Sequence, residues 1–357
     1  MRIGLDAGKA LYPHDGIGRY SRELLAALAD AVGDDEIVLF GLPQGHPESE
    51  LLRRLGNPVG PCRLPTSPDE AIDIFHATAW TFPPQFRGPI VFTCYDLTFL
   101  THSASHTLDN KIHCLTGLLE ARLAEATFVA ISQATKDEMV QQLGFEQDLI
   151  QVIYPAPSAD LEPQNTDDAR RLLRERFGVD GEPVLALATL EPRKNFARLL
   201  EAYLGLNDDL RFRHPLVIAG GGGWKNTDLL TGLDESSSVH LIGRVEEDEL
   251  AMRYSAAALF AYPSLAEGFG LPVVEAMACG TPVLTAGASA MSEVAGGAAR
   301  LVDPLDVGAI RQGLDELLRD PEERHRLSAL GRRRAAEFSW RRTAQQTLEI
   351  YRQLLAA

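Results

Sequence analysis

Short β-rich runs alternate with helical stretches along almost the whole chain. In the first half the runs are "RIGLD", "EIVLFG", "DIFHA", "PIVFTC", "TFVAIS" and "LIQVIY", and between them lie "GRYSRELLAALAD", "NKIHCLTGLLEARLAEA" and "QATKDEMVQQLG". Runs without polar alternation, separated by helices, imply a parallel sheet covered on both faces. The stretch "YPAPSADLEPQNTDD", Tyr154 to Asp168, is proline-rich and acidic and reads as a linker. The alternation then restarts with "PVLALATL", "PLVIAGG", "VHLIGRV", "ALFAYPS", "TPVLTAG" and "ARLVDP", and its helices include "EPRKNFARLLEAYLGL" and "EEDELAMRYSAA". Two α/β units with a cleft between them follow, with ligands expected at the carboxyl ends of the strands.

Composition narrows the class. A chain of 357 residues exceeds one ordinary domain. It contains no apolar run long enough to span a membrane, and "MRIGLDAGKA" reads as a strand, not a signal peptide. Cys62, Cys94, Cys114 and Cys279 are scattered, without metal spacing, and read as free thiols of a reducing cytoplasm. The net charge of −16 argues against nucleic-acid binding and weakens docking on anionic lipid.

The stretch "EGFGLPVVEAMACGTPV" carries two carboxylates, Glu267 and Glu275, around a glycine-rich turn. Pro272 suits the start of a helix and Gly280 its stop, which predicts a helix over Pro272 to Cys279 with Glu275 in its first turn. Gly268 and Gly270 let backbone N–H groups approach a ligand closely, and the helix N-terminus adds positive partial charge. Together these form an anion cradle. Ionised carboxylates beside a phosphate suit the diols of a nucleotide sugar, with Glu275 on the ribose and Glu267 on the transferred sugar. On the residues alone a plainer alternative stays open: Glu275 favours the helix dipole and Glu267 sits in solvent.

"TLEPRKNFARLL" leaves a strand through Pro192 and places Arg193 and Lys194 at its carboxyl end, where they suit a phosphate. "GIG", Gly16 to Gly18, reads as a glycine loop facing the cleft. It is not a dinucleotide fingerprint, because Ser21 stands where the third glycine belongs. The tail from "GLDELLRD" to the end is helical, and its arginines Arg332 to Arg334 read as a solvated helix face.

Taken together, "PSLAEGFGLPVVEAMACGTPVLT" with its E-x7-E spacing, "LEPRKN", "AISQATKDEM", "LIGRVEEDELAMRYSAA" and "FSWRRTAQQTLEIYRQL" resemble the retaining glycosyltransferases of family 4. The likeness covers nearly the whole chain and is strongest to bacterial mannosyl- and rhamnosyltransferases of polysaccharide assembly. The resemblance implies the GT-B architecture: α/β, two Rossmann-like domains whose parallel sheets face a central cleft. It divides the chain into an acceptor-side domain at 1–157, a donor domain at 158–335 and a closing helix at 336–357 that packs back on the first. It implies transfer of a hexosyl group, with GDP-mannose as the first choice of donor. The acceptor would be a glycan, a lipid-linked saccharide or a small molecule. Configuration would be retained, with no metal and no cofactor. Glu267 would contact donor-sugar hydroxyls together with the backbone of Gly268, Phe269, Gly270 and Leu271. Glu275 would hold the ribose, Arg193 and Lys194 the departing diphosphate, and Gly16 and Gly18 would close over donor and acceptor. Arg244 and Val245 of "GRV" would lie near the base. A cytoplasmic enzyme is implied, with peripheral contact at the membrane's inner face left open.

Two departures stand out. Tyr95 occupies a position where the family usually has histidine, ahead of Asp96 and beside the donor-sugar C6 hydroxyl, which puts the donor's identity in question. Ala188 stands where glycine is common. A non-catalytic nucleotide-sugar binder or a GT-B-like epimerase shares the architecture, although the combination of Arg193, Lys194 and Glu267 favours a transferase.

Overall fold

The computed structural model describes residues 1–12, 16–43, 50, 52–53, 55, 62–67, 70–221 and 238–356. They form two compact units, residues 1–156 with 339–357, and residues 157–338.

The first unit holds a seven-stranded parallel sheet in the order β3-β2-β1-β4-β5-β6-β7. Its strands are β1 (Arg2–Asp6), β2 (Glu36–Phe40), β3 (Cys62–Arg63), β4 (Ile74–Ala77), β5 (Ile90–Cys94), β6 (Thr127–Ala130) and β7 (Ile150–Val152). Its helices are α1 (Gly16–Ala31), α2 (Thr98–Thr101), α3 (Leu108–Leu123) and α4 (Gln133–Leu143). The central strands are apolar because both of their faces are covered: every residue of β4 and β5 is buried. β3, only two residues long, carries no apolar run and so leaves no strand signal in the sequence.

The second unit holds a six-stranded parallel sheet in the order β10-β9-β8-β11-β12-β13. Its strands are β8 (Val184–Leu187), β9 (Leu216–Ala219), β10 (Val239–Gly243), β11 (Leu259–Tyr262), β12 (Val283–Ala286) and β13 (Arg300–Val302). Its helices are α5 (Thr166–Phe177), α6 (Phe196–Leu204), α7 (Asp208–Arg213), α8 (Leu250–Ala256), α9 (Leu271–Ala278), α10 (Ala290–Ala295), α11 (Val307–Arg319) and α12 (Pro321–Ala335). The chain then returns to the first unit with α13 (Trp340–Ala356). In each unit the first strand lies inside the sheet, the next two build outward on one side and the later ones on the other. This is the doubly wound Rossmann order, so the expected pair of Rossmann-like folds is present. The order reverses beside β8 in the second unit, and a crevice at the strands' carboxyl ends follows from that reversal.

α13 is anchored to the first unit by polar contacts as well as apolar ones. The Tyr351 hydroxyl meets His76 Nδ1 on β4, and the Thr93 hydroxyl holds His76 Nε2 at 2.8 Å. Burial pushes the His76 pKa down to about 3, so the ring is neutral. Trp340 lies edge-on to Tyr20 at 5.4 Å, and the Thr343 hydroxyl donates to the Tyr154 carbonyl at 2.7 Å.

Three local expectations are corrected. The linker ends earlier than Asp168, because Asn165 caps α5 and accepts from the Asp168 N–H. "GIG" is not a loop: Gly16 to Gly18 form the first turn of α1. A Cβ on Gly18 would lie 2.2 Å from the Tyr12 carbonyl oxygen and 2.6 Å from that of Lys9. The glycine there serves close packing of that turn. Arg334 is not simply solvated, since it donates to the carbonyls of Glu293 and Val294 at the end of α10. Among the described residues no helix is long and apolar enough to cross a membrane, and all four cysteines are free.

Candidate active site

The residues marked in "LEPRKN" and "PSLAEGFGLP" converge at the carboxyl ends of β8 and β11. After β8 the chain enters a single 3-10 turn, Pro192–Lys194. Arg193 and Lys194 therefore sit on a turn ahead of α6, not within the helix. Asn195 closes the turn in the left-handed region at φ 63°, which asparagine tolerates better than most residues. Its side-chain amide donates to the carbonyls of Pro263 and Pro304 at 2.9 and 2.7 Å. These bonds fix the turn to the loops that follow β11 and β13.

The turn and the β11 loop share one ionic cluster. Lys194 Nζ lies 2.8 Å from Glu267 Oε1 and donates to the Tyr262 hydroxyl at 2.9 Å. Tyr262 in turn donates to Glu267 Oε1 at 2.9 Å, and Ser264 adds a third donor to that oxygen at 2.6 Å. Arg193 spans Glu267 Oε2 at 2.8 Å, Glu191 Oε1 at 2.6 Å and the Ala266 carbonyl at 2.6 Å. The four charged side chains are only 8–12% exposed. Two cations and two carboxylates cancel, which is what permits their burial.

Burial works to raise the Glu267 pKa, but Arg193, Lys194 and the hydroxyl donors outweigh it and leave the value at about 2. Lys194 is shifted down, first by burial and then by Arg193, against the pull of Glu267 and Glu191. Burial, and next the Glu267 charge, push the Tyr262 phenol well above its ordinary range. At neutral pH Glu267 is thus an anion and Tyr262 a proton donor. The carboxylate is suited to accept hydrogen bonds, not to deliver a proton.

Glu267 opens the turn into α9. Its backbone N–H donates to the Ser289 hydroxyl at 3.3 Å. Gly268 and Phe269 are buried, and the Phe269 ring meets Phe338 edge-on at 5.4 Å. Gly270 is the N-cap at φ 95°, and a Cβ there would come within 2.1 Å of Met291 Cε. Only glycine fits this position. Leu271 and Pro272 begin the helix. Gly280, at φ 75°, ends it: the Gly280 N–H bonds to the Met277 carbonyl and the Thr281 N–H to that of Ala276.

Glu275 is not in the first turn of α9, as expected, but in the second, because the helix starts at Leu271. It is 2% exposed, and Oε2 accepts the Tyr254 hydroxyl at 2.9 Å. The plainer alternative is corrected on both counts: Glu275 lies past the first turn, and Glu267, only 9% exposed, does not sit in solvent. Beyond β10, Arg244 is exposed and Val245 half-buried, with the Arg244 guanidinium lying over Gly221.

Gly16, Gly18, Tyr95 and Asp96 belong to the other unit. The Tyr95 hydroxyl donates to the Thr78 carbonyl, and its ring packs edge-on to Tyr20 at 5.2 Å. Asp96 Oδ1 accepts from the Thr98 N–H and hydroxyl at 2.9 and 2.7 Å. Sequence reasoning passed over Glu191, Tyr262 and Ser264. All three lie within quoted stretches, but none has a spacing that marks it. Among the described residues no group of three His, Cys, Asp or Glu side chains could hold a metal ion.

Residues 172–334 match the family model described as "Glycosyl transferases group 1". The chain is 31% identical to O-antigen chain mannosyltransferase B of Escherichia coli over 383 aligned positions, covering 99% of this chain and 100% of that protein. Among solved structures it resembles sucrose-phosphate synthase from Thermosynechococcus elongatus, with a TM-score of 0.77 and 20% identity over 100% of this chain and 99% of that one. It also resembles Anabaena Alr3699/HepE, solved in complex with UDP-glucose, with a TM-score of 0.76 and 20% identity over 99% and 100% of the two chains. At such identities the likeness is one of fold, the GT-B fold of glycosyltransferases. By its family match and its full-length relative, this chain belongs to the group 1 glycosyltransferases.

Proposed function

We propose that the chain transfers a mannosyl group from GDP-mannose to a hydroxyl of a glycan or lipid-linked saccharide, with retention of configuration and without a metal ion. The observation that carries this proposal is the buried cluster of Arg193, Lys194 and Glu267 at the strands' carboxyl ends, beside the glycine-capped start of α9. The choice of mannose draws support from the mannosyltransferase that aligns over the whole chain.

In this proposal the donor's diphosphate takes over part of the contacts that Arg193 and Lys194 make with Glu267 and Glu191. The first N–H groups of α9 supply further donors. As the bond from C1 to the phosphate oxygen breaks, negative charge grows on the leaving oxygen and positive charge on the sugar ring. The two cations face the growing negative charge, which is where electrostatic stabilisation has its largest effect. The acceptor hydroxyl attacks from the face the phosphate is leaving and passes its proton to the departing oxygen. Glu267 Oε1 already accepts three donors, so a sugar hydroxyl would bond through Oε2. Glu275 holds the ribose by exchanging its contact with Tyr254.

The test has two stages. Thermal shifts with GDP-, UDP- and dTDP-sugars identify the nucleotide. Transfer from GDP-mannose to a glycan acceptor is then followed in the presence of EDTA, with the product's anomeric configuration assigned by NMR. A shift with GDP-mannose and a metal-independent product of retained configuration is expected. Preference for another nucleotide, an inverted product, or activity lost to EDTA and restored by Mn²⁺ would overturn the corresponding part of the proposal.

A further inference from the structure

Helix α3 carries apolar side chains on two faces. Cys114, Gly117, Leu118 and Ala121 are buried and pack on the unit's own core. On the other side Leu108, Ile112, Leu119 and Leu123 are 69%, 55%, 43% and 86% exposed. Leu115, half-buried, lies between Ile112 and Leu119 along the same line. Steps of four, three, four and four residues keep the five within about 80° of arc over a length of about 22 Å. Isolated exposed leucines are ordinary, but a continuous stripe of them marks a contact surface. Four- and three-residue steps are the seam pattern of paired helices.

The charges beside the stripe indicate the partner. At 3.6 residues per turn, Asp109 and Glu120 flank it on one side and Lys111 and Arg122 on the other. Each like-charged pair is eleven residues apart, about three turns, so each flank keeps one sign along the helix. Among the described residues the side chains of Asp109, Lys111 and Glu120 have no hydrogen bond or ion pair within the chain. Arg122 reaches the carbonyls of Leu143 and Gly144 but remains exposed. A two-fold axis parallel to α3 lays the acidic flank of one copy on the basic flank of the other. Asp109 then meets Lys111 of the second copy, and Glu120 meets its Arg122. An antiparallel pair would bring like charges together. Flanks whose charges cancel also offer an anionic lipid surface no net attraction.

We propose that α3 pairs in parallel with α3 of a second copy of this chain, forming an isologous dimer. This inference is independent of the donor assignment. Sedimentation velocity on the full chain, over a range of concentrations at low and high salt, tests it. The expected result is a dimer with a Kd of about micromolar, as suits a small interface, weakened by salt. Leu119→Asp should raise that Kd about tenfold or more while leaving the melting temperature in place at concentrations where wild type is monomeric, because the side chain is on the surface. Lys111→Glu should weaken the dimer, and adding Asp109→Lys should restore it by exchanging the signs of the two flanks. A monomer at every concentration, or a dimer indifferent to Leu119→Asp, would overturn the proposal. So would a double variant no better than Lys111→Glu alone. Flotation of a monomeric wild type with phosphatidylethanolamine–phosphatidylglycerol vesicles, lost in Leu119→Asp, would reassign the stripe to lipid.

Discussion

Replacing Glu267 by glutamine keeps the shape of the side chain and removes its charge from a buried cluster. The carboxyl titrates at about 2 in the folded protein, against an ordinary 4.5. That difference is worth about 3 kcal/mol. The side chain is only 9% exposed, so solvent screening does little to reduce it. Breaking a buried ion pair by removing one partner costs about 3–5 kcal/mol, because the other partner stays buried and unbalanced. Here Arg193 and Lys194 would be left with Glu191 as their carboxylate. Lys194, already shifted down by burial and Arg193, would shed its proton more readily and limit the loss to the lower part of that range. For a unit of this size the melting temperature should fall by about 6–12 °C.

The sign of the pH dependence follows from the depressed pKa. The contribution is present above the unfolded value near 4.5 and is lost as the pH falls toward about 2. Wild type should therefore lose stability steeply through that window, and Glu267→Gln should lose less. Calorimetry between pH 7 and 3, following the transition of the 157–338 unit, measures both quantities. If Glu267→Gln melts with wild type at pH 7 and falls off with the same slope in acid, Glu267 does not hold the two cations, and the cluster is not what orients the site.

Gly270→Ala forces a side chain into φ 95° and to within 2.1 Å of Met291; a loss of about 2 kcal/mol or more is expected in denaturant unfolding, and pairing it with Met291→Ala should recover the steric part only. Tyr95→Phe removes the bond to the Thr78 carbonyl and should cost about 1–2 kcal/mol. If Tyr95 also reads the donor's C6 position, Tyr95→His should change the rate preference between GDP-mannose and a 6-deoxy donor by about tenfold, or about 1.4 kcal/mol; an unchanged preference would make Tyr95 purely structural.

What the sequence disclosed, and what it withheld, follows from the range of the forces involved. Strands buried on both faces announce themselves as apolar runs, and β4 and β5 were readable for that reason. Glycines were harder, because one residue type answers different needs. Gly270 is required by its own dihedral, whereas Gly18 is required by the carbonyls of Tyr12 and Lys9 against which it packs. The second need leaves no local trace, so from sequence the first turn of α1 reads as a loop. The leucines of α3 posed the same problem in another form, since periodicity marks an apolar face without saying what covers it. Within the site, Glu267 stood out as an acid beside a glycine turn, and Arg193 and Lys194 as cations at the carboxyl end of a strand. Tyr262 did not, because an aromatic residue on a buried strand needs no explanation, and it does stack on Phe260 as a core residue would. Yet its hydroxyl accepts from Lys194 and donates to Glu267, across 68 and 5 residues of chain respectively. Such a bridge exists only once β8 and β11 lie side by side. A motif can therefore mark the charged members of a site, but the neutral group that aligns them becomes visible only when the strands are paired.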